Sequence, residues 1–146
     1  MELLFVYGTL MKGIETNITQ YLRANSRFLG IAYTHGRLYD LGSYPGLVCD
    51  ASTEAKVTGH VYELTAAEDL WPFLDRYEGY DPARPELGQY RRQICEAYID
   101  GKILSCHTYH FQQSTEGLVL IPNGDYLQYL QQRPDNHVAF INRFQQ

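Results

Sequence analysis

The chain has 146 residues, the size of one ordinary domain with room for a real core, so a single domain over 1–146 is expected and a multidomain assembly is excluded. Twelve Lys and Arg against 17 Asp and Glu give a net charge of −5; without clustered cations, neither nucleic acid nor an anionic membrane surface is expected as a partner. A hydrophobic share of 45% with 20% charged residues is that of a soluble globular protein rather than a disordered, collagen-like or membrane chain.

Leu3 to Tyr7 is a continuous apolar run ending at Gly8, the pattern of a central strand buried on both faces and leading into a tight loop. Beyond Gly13, apolar residues at Ile14, Ile18, Tyr21 and Leu22 recur at helical spacing, which predicts a helix ending near Asn25. Phe28 to Leu41 reads as strand, and the turn formers Gly42-Ser43-Tyr44-Pro45-Gly46 predict a loop. Strands follow at Leu47–Cys49 and Val57–Leu64, the second alternating Val57, Gly59 and Val61 on one face with Thr58, His60 and Tyr62 on the other. The period then changes. Thr65-Ala66-Ala67-Glu68 matches a capping box, and Leu70, Trp71, Phe73, Leu74 and Tyr77 supply the apolar face of a helix that stops at Gly79. Pro72 within it predicts either a start nearer Leu70 or a kink. After a loop over Asp81–Gly88, the runs Tyr90–Ile99 and Ile103–Phe111, joined by Asp100-Gly101, give the strongest hairpin signal in the chain. A turn at Pro122-Asn123-Gly124, a short helix from Asp125 and a terminal helix carrying Val138, Ile141 and Phe144 complete the order. The fold class is α+β, with a mixed sheet that Tyr-rich strands can curl into a barrel.

The 13 Tyr against one Trp suit half-buried strands around a cleft that needs hydroxyls on apolar bodies. Three cysteines, Cys49, Cys95 and Cys106, with no C-x-x-C pair, write neither a disulfide framework nor a zinc knuckle. A reducing, cytoplasmic setting is expected, since Glu2 stands where a signal peptide wants a cation. No run approaches the roughly 18 apolar residues of a membrane span.

Several chemistries are set aside by spacing. Gly8 to Gly13 has the glycine interval of a phosphate loop, but Ile14 and Glu15 stand where Lys and Ser or Thr should follow. Gly42 immediately precedes Ser43, so there is no nucleophile elbow. His107 and His110 fall on opposite faces of a strand, poor geometry for one metal, and no metal is expected. Apolar-flanked Cys95 and Cys106 read as core thiols.

Two features remain: the Tyr7-Gly8-Thr9-Leu10 loop after a buried strand, and Glu78 at the end of a helix. The glycine is explained equally by a simple turn, and the glutamate by a solvated helix end. A buried Glu78, however, would sit against a helix C-terminus whose partial negative charge disfavours a second one. Its pKa would then rise, which suits a proton shuttle near neutral pH.

The segments Val6-Tyr7-Gly8-Thr9-Leu10-Met11-Lys12-Gly13, Tyr44-Pro45-Gly46-Leu47, Val57-Thr58-Gly59-His60-Val61-Tyr62-Glu63-Leu64, Phe73-Leu74-Asp75-Arg76-Tyr77-Glu78-Gly79-Tyr80 and Tyr90-Arg91-Arg92 together resemble the gamma-glutamyl cyclotransferase-like family, in order over residues 3–130. The branch they resemble most contains gamma-glutamylamine cyclotransferase. The resemblance implies a small mixed β-barrel with flanking helices, a cavity near the Tyr7–Leu10 loop, and Glu78 as general acid and base. It implies a small γ-glutamyl substrate whose own α-amine attacks its γ-carbonyl, closing 5-oxoproline and expelling an amine, a chemistry of acyltransferase or lyase type that needs no cofactor. Backbone N–H groups of Gly8, Thr9 and Leu10 are the candidate clamp for the substrate α-carboxylate, so a methyl group on Gly8 is expected to crowd that carboxylate. Tyr7 lines the cavity on this reading, and Tyr109 matches a substrate-binding tyrosine of a late strand. Arg92 is read as an anchor of the loop through a salt bridge. His60 departs from the acid frequent in relatives, and residues 131–146 exceed the usual core as a C-terminal extension. The leaving amine and the oligomeric state are not written in the sequence. The alternative is a module on the same fold that binds a small metabolite or a protein without turnover.

Overall fold

The computed structural model describes residues 2–11 and 16–132. Its elements run β1 (Leu3–Val6), α1 (Asn17–Ala24), β2 (Ser26–Asp40), β3 (Pro45–Cys49), β4 (Lys56–Leu64), α2 (Ala67–Glu78), β5 (Tyr90–Ile99), β6 (Lys102–Phe111), β7 (Val119–Leu120) and α3 (Tyr126–Gln132). The strands lie in the order β1-β4-β2-β3-β6, and a parallel contact between β1 and β6 at Leu4 and His107 closes them into a five-stranded barrel. β5 pairs with β6 from Tyr90↔Phe111 to Ile99↔Lys102 and reaches β2 at Tyr33↔Tyr98. The fold is thus the mixed α+β barrel with flanking helices that the resemblance implies.

Local chemistry explains the elements. All four residues of β1 are buried, as a continuous apolar run requires when both faces are covered. Asp100 and Gly101 carry φ of 50° and 76°, the positive pair that a two-residue hairpin needs to match the strand twist. α2 buries Leu70 and Leu74 completely, in the same core as Leu4, Leu38, Leu47, Val57 and Val61. It ends at Gly79, whose left-handed φ of 72° brings its N–H onto Arg76 and Asp75 carbonyls.

Three expectations are corrected. The capping box at Thr65–Glu68 does not form: α2 is capped by Ala66 without a side-chain bond, because the Thr65 N–H is tied to the Asn25 carbonyl at 3.0 Å. A reciprocal cap forms instead on α1, between Thr16 and Thr19. The start nearer Leu70 is not seen: α2 begins at Ala67 with Pro72 inside it; Pro72 is exposed, and the carbonyl it leaves without its helical donor belongs to exposed Glu68. β3 begins at Pro45, so part of the expected 42–46 loop is strand. On β4, His60 and Tyr62 pack against Phe28 at ring distances of 5.4 and 5.5 Å, so the face they share is covered as well. The short β7, paired with β2 at Tyr39 and Asp40, has too few residues to carry a period. Lys12 to Glu15 and the terminal helix at Val138, Ile141 and Phe144 lie outside the described residues.

Candidate active site

The end of β1, the end of α2 and the start of β3 and β5 meet around a cavity of about 230 Å³. That is small against the roughly 300–1,000 Å³ of pockets for drug-sized ligands, and fits a single amino-acid derivative. Tyr7, Gly8, Thr9, Leu10, Glu78 and Tyr109 all line it, so the six candidate catalytic and substrate-binding residues reach one site.

Glu78 is brought to the wall because Gly79 ends α2 one residue later. Burial, and secondarily the Asp75 carboxylate one turn back, lift its pKa from 4.5 to about 8. A glutamate in that range exchanges protons with an amine at little cost, since an α-ammonium group titrates at roughly 8. Gly8, Thr9 and Leu10 line the same cavity and are buried, and their N–H groups donate to no acceptor among the described residues. Buried backbone donors are nearly always paired in folded proteins. Three successive unpaired donors on residues that line a cavity offer a place for an anion.

The tyrosines frame the cavity more than they offer free hydroxyls. Tyr7 donates to the Tyr109 carbonyl at 2.6 Å, tying β1 to β6, and burial raises its pKa. Tyr109 donates to Asp75 Oδ1 at 2.7 Å, and Tyr90 donates to the Pro45 carbonyl at 2.6 Å. Thr9 Oγ1 and the Tyr77 hydroxyl share a bond of 2.9 Å, which fixes the β1 loop to α2. Tyr44 donates to Gln89 Oε1 at 2.6 Å on the opposite rim.

Three features were not found by sequence reasoning. Asp75 is 5% exposed and takes the Arg92 Nε at 3.0 Å, so Arg92 anchors a helix rather than a loop. The signal available was the spacing of Asp75 and Glu78, which puts both on one helix face. Tyr44 and Pro45 read as turn formers but form a cavity wall, and Arg76 lines the rim. The expected effect of a methyl on Gly8 also changes cause: it would lie 2.6 Å from Pro45 Cγ, so it meets protein before any ligand.

The closed mixed barrel belongs to a known structural class. An AIG2-like protein from Mus musculus shares it at 25% identity and a TM-score of 0.65, over 86% of this chain and 88% of that one. The Bacillus subtilis protein YkqA shares it at 27% identity and a TM-score of 0.68; 92% of this chain matches, spanning 42% of that longer protein. In sequence, the Escherichia coli K12 gamma-glutamylcyclotransferase family protein YtfP is 31% identical over 128 residues, covering 85% of this chain and 95% of its own length. The model of the family "Gamma-glutamyl cyclotransferase, AIG2-like" matches residues 4–128. The chain belongs to that family. No helix among the described residues is long and apolar enough to cross a membrane.

Proposed function

We propose that this protein is a gamma-glutamyl cyclotransferase that converts a γ-glutamyl amine or peptide into 5-oxoproline and a free amine, with Glu78 as general acid and base. The observation that carries this reading is a glutamate with a pKa near 8 that lines the same small cavity as three residues whose backbone N–H groups have no acceptor among the described residues. The substrate α-carboxylate is held by the N–H groups of Gly8, Thr9 and Leu10, which folds the chain so that its α-nitrogen faces its own γ-carbonyl. The new C–N bond closes the ring as the bond to the leaving nitrogen breaks. The attacking nitrogen starts as an ammonium and ends as a lactam N–H, so two protons pass from it to the leaving nitrogen. Glu78 relays both, first as base and then as acid. Tyr7, Tyr109 and Tyr90 keep the walls in place and exclude water from competing as nucleophile.

A 5-oxoproline release assay over γ-glutamyl amines, γ-glutamyl dipeptides and glutathione tests this, with the Glu78→Gln protein as blank. Glu78-dependent release from any member supports the reading. Formation of glutamate instead would make the protein a hydrolase, and silence with folded protein would favour a binding module.

A further inference from the structure

Among the described residues, the cavity wall carries two oppositely charged side-chain types, the carboxyl of Glu78 and the guanidinium of Arg76. The rest of the lining is apolar or formed by neutral hydroxyl and amide groups. Arg76 is exposed, while Glu78 two positions later is partly buried, so the cation marks the rim and the acid the inner wall. Three other arginines have counterions: Arg27 meets Glu63, Arg37 meets Asp50 and Arg92 meets Asp75; Arg84 and Arg91 have none among the described residues, but neither lines the cavity. The Arg76 side chain has no ion pair or hydrogen bond among the described residues. Its place in the last turn of α2 favours a cation on dipole grounds, but that preference does not require the side chain to border the cavity.

The position of the substrate follows if the cyclotransferase reading holds, and the present inference rests on it. The α-carboxylate belongs at the Gly8–Leu10 donors, where Thr9 is 8% and Leu10 is 4% exposed, and the α-nitrogen belongs at Glu78. The glutamyl half therefore fills the inner end, and the group to be expelled lies at the rim. We infer that Arg76 is a specificity-determining residue that selects γ-glutamyl substrates whose departing amine carries a carboxylate, as in a γ-glutamyl amino acid, over those expelling a neutral alkylamine or a cationic diamine. An anion at the rim gains a charge-assisted partner, and a cation there is repelled.

Three substrates of similar bulk test this: γ-glutamylalanine, its alaninamide counterpart, and the mono-γ-glutamyl amide of a short diamine. The wild type is expected to favour the carboxylate over the carboxamide by about 1.5- to 5-fold in kcat/KM, the range for an exposed, partly screened pair, with the diamine lowest. The preference shrinks as salt is raised. Arg76→Gln brings the carboxylate and carboxamide values together, Arg76→Lys keeps part of the gap, and Arg76→Glu places the diamine first. A wild-type protein that releases 5-oxoproline equally from all three, or an Arg76→Gln protein that keeps the wild-type ratio, overturns the inference while leaving the cyclotransferase reading intact. If none is turned over, that reading fails, and calorimetric affinities of the same ligands for Glu78→Gln and Glu78→Gln/Arg76→Gln proteins decide the inference alone. An affinity ratio that disappears with Arg76 upholds it, and equal ratios overturn it.

Discussion

Arg92 holds Asp75 through two contacts, Nε to Oδ1 at 3.0 Å and Nη2 to Oδ2 at 3.3 Å, while Tyr109 donates to the same Oδ1 at 2.7 Å. The guanidinium also lies 4.3 Å over the Trp71 ring. β5, β6 and α2 are thereby joined at one carboxylate, one turn before Glu78.

Asp75→Asn should therefore act on both stability and chemistry. Removing one partner of a buried pair costs about 3–5 kcal/mol; with the Arg92 side chain 21% exposed, about 2–3 kcal/mol is expected in urea unfolding. Because Asp75 is the second cause of the raised Glu78 pKa, the basic displacement of the pH–rate profile should also shrink. A stable variant with an unmoved profile would show that the pair neither braces α2 nor acts on Glu78.

The pH dependence of stability isolates the acid itself. Glu78 titrates near 8 in the folded chain against 4.5 as the ordinary value, so between these pH values the folded state holds a proton that the unfolded state has released. Stability is then fully present below the lower value and falls as pH rises through the upper one. A tenfold difference in proton affinity between the two states is worth about 1.36 kcal/mol, so the loss across this interval amounts to a few kcal/mol, lessened by water in the cavity. Glu78→Gln has no proton to lose, and its urea midpoint should drop less between pH 5 and pH 9 than that of the wild type. Parallel midpoints for the two proteins would rule out a buried, proton-holding Glu78.

Turnover should follow the same group. The base form is needed to start ring closure, so kcat/KM is expected to rise with pH through about 8, the Glu78 value. Glu78→Gln should lose on the order of 10²–10⁴-fold, the usual contribution of a positioned acid–base group, while still binding substrate. Residual activity close to wild type would remove Glu78 from the mechanism.

Much of this site was legible because it is built at element ends that carry local signals. A buried run followed by Gly8 marked the end of β1, and Gly79 marked the end of α2, so the loop and Glu78 could be placed before any contact was known. The Asp100-Gly101 turn likewise fixed β5 against β6. What stayed hidden depends on partners distant in sequence. Nothing near Asp75 announces that Arg92 and Tyr109 converge on it, and Pro45 reads as a turn former until Tyr90 donates to its carbonyl. The false capping box at Thr65 shows the converse: a local pattern loses when a neighbouring helix end already engages the backbone it would use.

Gly8→Ala tests how the cavity's two sides are fitted. The added Cβ would lie 2.6 Å from Pro45 Cγ and 3.0 Å from Cδ. Pro45 is poorly placed to retreat: it opens β3, and its carbonyl accepts the Tyr90 hydroxyl. Overpacking of this kind costs about 1–3 kcal/mol, and relief by moving the Gly8–Leu10 loop would displace the proposed carboxylate donors and raise KM. Pro45→Ala removes the ring atoms that the methyl meets. Stability of the Gly8→Ala/Pro45→Ala protein should accordingly exceed the sum of the two single effects, a favourable coupling in a double-mutant cycle. If the two changes simply add, the methyl is not meeting Pro45. If KM rises with no loss of stability, it meets the substrate carboxylate instead.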